Sequence, residues 1–332
     1  MLSSIGDPVR SLPTFAEVAA AADRLQGRVV RTPVLRSARL DARTGRRVFL
    51  KCENLQQVGA FKYRGALNAL LHRQSSGAAP GLVATHSSGN HGAALARAAR
   101  ELGWECCVVV PRDTSAAKLA NIRAQGVEPL LCEPGLAARE AATARLIAER
   151  GAELVHPFDD ARVIAGQGTA ALELLAEVPQ LDVLSAPVGG GGLLGGSALA
   201  ARAMASECRV IGVEPELADD AARSFRGGTR VGFGAPPPTL ADGLRGSIGV
   251  LPFELFRQHV DDVLTVSEAE IVAAMRVMLE ECCLLVEPSS AVPVAALLAG
   301  RLGGPGDAIG IILSGGNVDL GVCPFLAGRA AI

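Results

Sequence analysis

Short apolar runs that end in glycine- or hydroxyl-rich turns, each followed by an alanine-rich helical pattern, recur along almost the whole chain and leave few folds open to it. Runs at Val48–Cys52, Leu82–Thr85, Cys106–Val110, Glu128–Leu131, Val183–Val188, Val210–Val213 and Ile309–Leu313 read as strands. Helical patterns at Gly92–Glu101, Ser115–Gln125, Leu136–Glu149, Gly168–Glu177, Ser197–Met204 and Ser267–Glu281 fill most gaps between them. Thr14 with Glu17, and Ser267 with Glu270, have the spacing of capping boxes that open helices. Strand, helix and strand at this spacing predict an α/β fold with two open, doubly wound sheets.

A chain of 332 residues exceeds the usual single core, so two lobes with a cleft between them are expected. The compact run of β-α units from Leu82 to Val155 is short enough to form an inserted lobe. The expected division is a large domain of residues 1–81 and 156–332 and a small one of residues 82–155. A formal charge of -2 and a pI near 6.2 lack the basic footprint that nucleic acid or an anionic membrane requires, and a small soluble partner fits better. The eight cysteines show no CxxC spacing and mostly lie in apolar runs, as expected of free thiols in a reducing cytoplasm. No signal-peptide pattern opens the chain. The uncharged window Val183–Ala201 is long enough for a bilayer, but its proline and glycines read as strand, loop and helix.

Several strand-to-helix junctions carry residues suited to chemistry. In Gly59-Ala60-Phe61-Lys62-Tyr63-Arg64-Gly65, Lys62 stands at the start of a helical pattern, where the positive end of the helix dipole disfavours the ammonium form and favours a nucleophilic amine. A lone lysine there reads equally as a solvated helix residue. Thr85-His86-Ser87-Ser88-Gly89-Asn90-His91-Gly92 exposes backbone N–H groups that can receive a carboxylate, or it is simply a capped turn. Gly189, Gly190, Gly191 and Gly192 let backbone amides close around a phosphate before a helix. The same window matches the dinucleotide fingerprint GxGxxG through Gly190, Gly192 and Gly195, with Glu214 as the ribose acid, although its place late in the chain argues against that reading. Ser314 closes a buried strand at the end where ligands bind in open sheets. Glu214, Asp219 and Asp220 group carboxylates suited to a hard cation such as Mg²⁺ or Ca²⁺, or to a solvated helix start.

Taken in order, AFKYRGALNAL, THSSGNHGAAL, HPFDDARVIAGQGT, PVGGGGLLGG, GVEPELADD, ADGLRGSIG, VEPSSAV and LSGGNVDL resemble the fold-type II pyridoxal-phosphate enzymes of the serine racemase and serine/threonine dehydratase family, whose architecture is that of the tryptophan synthase β subunit. The likeness runs from about Thr14 to Leu320 and displaces the dinucleotide reading. It implies that Lys62 carries pyridoxal 5'-phosphate and moves the Cα proton, with Phe61 against the cofactor and Gly189–Gly192 as the phosphate cup. Asn90 would contact the ring hydroxyl and Ser314 the pyridine nitrogen. Ser87, Asn90 and His91 would hold the substrate carboxylate, and Ser88 would exchange a proton on the opposite ring face. Glu214, the Ala218 carbonyl and Asp220 match the family's divalent-cation site (Mg²⁺, Ca²⁺ or Mn²⁺). A homodimer is implied in the same way, and no regulatory module is expected after Leu320.

The resemblance leads to a dehydratase that turns L-serine, L-threonine or a related 3-hydroxy amino acid into a 2-oxo acid and ammonia. A serine racemase, using Lys62 and Ser88 on opposite faces, is the alternative. A catalytically silent amino-acid sensor is a third reading, against which the retained Lys62 argues. Two departures bear on the choice: Ala60 replaces the serine commonly found before Phe-Lys, a variant that resembles the L-threo-3-hydroxyaspartate dehydratase subgroup, and Gly246 stands where similar serine racemases carry a hydroxyl. Arg139 either meets a second substrate carboxylate or is a solvated helix residue.

Overall fold

Ten strands form two separate sheets in a computed structural model that describes residues 11–320, apart from 88, 113, 115 and 135, together with residue 325. In chain order they are β1 Val34–Leu35, β2 Arg47–Cys52, β3 Leu82–Thr85, β4 Glu105–Pro111, β5 Leu130–Cys132, β6 Glu153–Leu154, β7 Val183–Pro187, β8 Arg209–Pro215, β9 Asp262–Val266 and β10 Ala308–Leu313. The larger sheet has the order β1-β2-β10-β7-β8-β9 and the smaller β5-β4-β3-β6. Every pairing is parallel except β1 with β2. The expected α/β class with two open sheets is therefore what the chain forms, and the smaller sheet takes all its strands from the stretch between Leu82 and Leu154.

Parallel sheets need cover on both faces, and the sequence supplies it by alternation along β10. Ile311 and Leu313 join a core with Met275, Met278, Val292 and Leu297 from helices Glu268–Cys282 and Pro288–Leu298. Ile312 faces the other way, among Leu174, Leu194 and Ala198 from helices Ala161–Glu177 and Gly192–Met204. Among the described residues no helix is long and apolar enough to cross a membrane.

Both capping boxes form: the Thr14 N–H donates to Glu17 Oε2 (2.6 Å) and the Ser267 N–H to Glu270 Oε2 (2.7 Å). Three expectations are corrected. The strand placed at Glu128–Leu131 is Leu130–Cys132, and β1, β6 and β9 were not foreseen. The helix placed at Ser197–Met204 begins earlier, inside the glycine run, at Gly192. The helix placed at Gly168–Glu177 begins at Ala161, because the Asp160 carboxylate accepts from the Arg162 N–H (2.9 Å) and caps it there.

Helix Ala161–Glu177 sets the spacing of the two helices that matter most. A Cβ on Gly166 would lie 2.7 Å from Gly65 Cα, and one on Gly168 would lie 2.6 Å from the Gly196 carbonyl oxygen. Backbones this close admit only glycine, so this helix draws helix Lys62–Ser75 to one of its sides and helix Gly192–Met204 to the other. A buried charge cluster fixes the first of these contacts. Arg64 is fully buried and donates to both Glu53 oxygens (2.8 Å each) and to both Glu173 oxygens (2.7 and 2.8 Å). Fully buried Lys51 donates to Glu173 (2.5 Å) and to the Thr32 carbonyl (2.7 Å). Replacing Arg64 by Met leaves buried Glu53 without its ion-pair partner and Glu173 with Lys51 alone. The expected loss of unfolding free energy is about 3–5 kcal/mol, read from urea unfolding beside wild type; an unchanged midpoint would contradict this account.

Candidate active site

The parallel register brings the C-terminal ends of β2, β10 and β7 to one edge of the large sheet, Cys52 beside Leu313 and, one strand on, Pro187. Ligands of open α/β sheets gather at this edge. Directly beyond β10 the chain pairs with the segment before Lys62: the Phe61 N–H donates to the Ser314 carbonyl (3.0 Å) and the Gly316 N–H to the Gly59 carbonyl (2.9 Å). Ser314 is buried there. Val58 is held at φ 56°, a left-handed conformation that is rare for a β-branched residue, and its carbonyl accepts from Asn317 Nδ2 (2.8 Å).

Lys62 opens its helix as expected. Its Nζ donates to the Pro157 carbonyl (2.7 Å) and lies 5.0 Å from the centre of the Phe61 ring. Desolvation lowers its ammonium pKa to about 8, opposed by the negative charge of Glu287. The turn that receives it is rigid, since His156 Nδ1 accepts from the Asp159 N–H (2.9 Å) and, more weakly, from the Phe158 N–H (3.4 Å). That turn aims the Phe158 ring at the glycine run, where a Cβ on Gly190 would lie 2.1 Å from Phe158 Cγ. Gly191 takes φ 85° and caps helix Gly192–Met204, leaving the first-turn N–H groups without partners in the helix. Lysine amine and glycine turn thus meet on either side of two consecutive residues, Pro157 and Phe158.

The third wall comes from the smaller sheet. Helix Asn90–Leu102 follows β3, and Asn90 donates through Nδ2 to both oxygens of Glu287 (2.9 and 3.0 Å), while its Oδ1 accepts from Asn317 Nδ2 (2.9 Å). His91 is buried, and its Nε2 lies 3.2 Å from the Val155 carbonyl. A carbonyl only accepts, so Nε2 carries the proton and the buried, unpaired Nδ1 is left an acceptor. Desolvation first, then the nearby Lys62 charge, push this imidazole down to about 3, so it stays neutral. His86 and His156 stack edge-on at 5.2 Å and are likewise lowered, chiefly by burial. Half-buried Ser87 lies in the same loop, and Ser88 lies outside the described residues. Arg139 does not stand free in solvent: its Nη1 donates to the His86 carbonyl (3.4 Å), and its Nε is buried without a partner.

A sequence profile of the family described as pyridoxal-phosphate dependent enzyme matches residues 25–315. The chain belongs to this family. It is 45% identical over 314 residues to the beta-hydroxyaspartate dehydratase of Paracoccus denitrificans, covering 95% of this chain and 99% of that one. It is 44% identical to the serine racemase of Arabidopsis thaliana, covering 91% and 92%. The solved structure of maize serine racemase superposes with a TM-score of 0.90 at 40% identity, covering 94% and 95%. The likeness read from the ordered motifs is borne out, and the chain is an enzyme.

Residues fitting the family's cofactor are present: a half-buried primary amine of lowered pKa, a glycine cup at a helix N-terminus and a hydroxyl at the end of β10. Pro157, Phe158, Glu287 and Asn317 also belong to this site but carried no assigned role in the sequence reading. Glu287 stands before a proline at a helix start, where a carboxylate passes for an ordinary cap; its own side chain caps nothing and turns to Asn90 instead.

Away from this edge, Glu214 ends β8, Ala218 closes the short helix Glu216–Ala218, and Asp220 opens helix Asp220–Gly227. All three are buried. The Glu214 oxygens accept from the N–H groups of Ala222 (2.7 Å) and Ala221 (3.3 Å), and Asp220 Oδ2 accepts from Ile248 (2.7 Å), while its Oδ1 is unpaired. Burial raises both carboxyls, Glu214 to about 9 and Asp220 to about 6. Among the described residues no three His, Cys, Asp or Glu side chains cluster as a metal site, so any cation here needs the Ala218 carbonyl.

Lys62 must be neutral to attack an aldehyde. In the cofactor-free protein, capture of pyridoxal phosphate should therefore rise with pH about a midpoint near 8 and not near the ordinary 10.5. Stopped-flow absorbance at a series of pH values checks this, and Lys62→Ala should abolish the signal. Because the unfolded chain holds this proton more tightly, the cofactor-free fold should also gain stability as pH rises from about 8 towards 10.5.

Proposed function

We propose that this enzyme removes water from a 3-hydroxy amino acid to give, after hydrolysis, a 2-oxo acid and ammonia. The observation carrying the reading is the Lys62 amine, of lowered pKa, held against Pro157 beside the glycine turn. The cofactor, when bound, supplies an electron sink that acidifies the substrate's Cα–H. Gly189, Gly190, Gly191 and Gly192 would hold its phosphate, Phe61 would pack against it, Asn90 would donate to its ring oxygen and Ser314 would meet its ring nitrogen. The N–H groups of Asn90 and His91, with Ser87, bind the substrate carboxylate at the start of helix Asn90–Leu102. Lys62 Nζ takes the Cα proton, its ammonium returns a proton to the hydroxide leaving Cβ so that water departs, and the enamine released is hydrolysed to the 2-oxo acid and ammonia. A hydroxyl at the ring nitrogen is a weak proton source, so it favours loss of the β-substituent over a long-lived carbanion. Ser88, as the acid/base on the opposite face, would open racemisation, the alternative outcome.

Arg139 narrows the substrate. A guanidinium whose Nε is buried and unpaired, beside the loop that receives the α-carboxylate, suits a second carboxylate. This supports 3-hydroxyaspartate, on which the Paracoccus relative acts by its name. Gly246 bears on the alternative outcome: it offers no hydroxyl where similar serine racemases carry one, which counts against efficient serine racemisation. Glu214, the Ala218 carbonyl and Asp220 hold a divalent cation, Mg²⁺ by preference, for which the unpaired Asp220 Oδ1 is a ready ligand. The sheet boundaries support domains of residues 1–81 with 156–332 and of residues 82–155. Thiols such as Cys52, pushed to about 12 by burial, suit a reducing cytoplasm, and a homodimer is carried over from the family resemblance.

Assay of 2-oxo acid release separates these possibilities. Arg139→Ala should raise KM for 3-hydroxyaspartate by about tenfold or more, the loss of a charged hydrogen bond, and should alter L-serine turnover far less. Equal loss on both substrates removes the dicarboxylate reading, and D-serine exceeding pyruvate from L-serine replaces the dehydratase by a racemase. For the cation, Mg²⁺ should raise Tm and a chelator lower it. Asp220→Ala should respond to neither.

A further inference from the structure

An asparagine amide presents a donor or an acceptor depending on a half-turn about its last torsion, and its two ends are nearly alike in shape. At Asn90 both ends are fixed. Asn317 Nδ2 gives hydrogens to the Val58 carbonyl (2.8 Å) and to Asn90 Oδ1 (2.9 Å), and a carbonyl cannot donate in return. On the other side Asn90 Nδ2 faces the two oxygens of Glu287. Glu287 is nearly buried, and its own N–H donates to the Gly315 carbonyl (3.0 Å). A Cβ on Gly315 would lie 2.6 Å from Glu287 Oε1, so the carboxyl rests over the chain next to Ser314. The same carboxyl lies within electrostatic reach of Lys62 and of the ion pair Lys118–Asp242 (2.5 Å), which joins helix Ala116–Arg123 to the segment Asp242–Leu244.

We propose that Glu287 is a positioning residue: its carboxylate holds the Asn90 amide with its donor end in the site and supplies the negative charge that Lys62 faces. This rests on the reading of Lys62 and Asn90 given above and adds the group that governs both. Desolvation raises the Glu287 carboxyl to about 7, Asn90, Lys118 and Lys62 opposing the rise and Asp242 adding to it. It is therefore ionised where the Lys62 amine, at about 8, begins to lose its proton. As pH falls through 7 the carboxyl takes up a proton, one acceptor for Asn90 is lost, and the charge favouring a protonated nitrogen opposite disappears.

Two variants separate the parts of this role. Glu287→Gln keeps an oxygen for Asn90 and removes the charge, whereas Glu287→Asp keeps the charge and draws it back from Asn90. In the holoenzyme, absorbance of the cofactor is followed over roughly pH 6–10, together with its dissociation constant and kcat/KM. Glu287→Gln should shift the absorbance midpoint down by about one unit with cofactor affinity nearly kept. Glu287→Asp should leave the midpoint and weaken the cofactor about tenfold, as expected for one lost hydrogen bond. A role confined to stability would lower Tm in both and move neither quantity, and that result overturns the proposal. Should Glu287→Gln not fold, an unchanged cofactor affinity in Glu287→Asp overturns it alone. Borohydride reduction of wild type tests the underlying reading separately: no label on Lys62 removes the site itself, whereas a labelled Lys62 with unmoved variants removes only the role of Glu287.

Discussion

Everything at the active edge depends on Arg64 being held in a dry interior by Glu53 and Glu173. A guanidinium so placed tolerates little rotation of its helix, because any turn separates it from two carboxylates, of which Glu53 is fully buried. Lys62 lies two residues earlier on the same helix, about 200° away around its axis. Locking Arg64 inward therefore points Lys62 outward to the cleft. The contributions of Glu53, from the segment after β2, and of Glu173, from helix Ala161–Glu177, mean that the direction of one amine is set by three elements, one of them more than a hundred residues along the chain.

The glycine contacts extend the same control to the glycine run that opens helix Gly192–Met204. Helix Ala161–Glu177 touches Gly65 through Gly166 and Gly196 through Gly168, so the two helices flanking the cleft are both spaced from this one helix by close backbone contacts. Its cap, Asp160, belongs to the turn in which Pro157 receives the Lys62 amine and Phe158 covers Gly190. Packing and chemistry are thus joined within a few residues: the segment that starts the spacer helix also joins lysine and cup.

What could be read from sequence follows from where each element lies. All six inner strands, β2, β10, β7 and β8 in one sheet and β4 and β3 in the other, are legible as mostly apolar runs, since a strand with neighbours on both sides and helices on both faces leaves few polar positions, Lys51 and Glu214 among them. The four edge strands, β1, β9, β5 and β6, were missed or misplaced; Leu130 and Leu131 of β5 are exposed, and Asp262 opens β9. Lys62, the glycine run and Asn90 stand out because each sits where a helix begins after a strand, and Ser314 because it directly follows an apolar strand. Pro157, Glu287 and Asn317 do not, for their meaning lies in contacts across the cleft: Pro157 is 95 positions from Lys62, and Glu287 is 197 from Asn90. Arg139 was ambiguous for the same reason, as only the fold shows that its helix lies under the His86 carbonyl.

The ionisable groups around Lys62 share one bias. Burial holds His91 and His156 neutral, lowers the lysine to about 8 and raises Glu287 to about 7. Near neutral pH the site therefore offers one amine and one carboxyl close to their titration points, amid imidazoles that add no charge. Proton transfer is fastest between groups whose pKa lies near the working pH. A dry pocket that silences its histidines leaves Lys62 and the carboxyl that faces it as the groups whose charge changes near neutral pH. Neutral histidines serve it in another way, since an imidazolium beside Lys62 would lower the amine further and, as a second cation in the pocket, would compete with Lys62 for the single carboxylate.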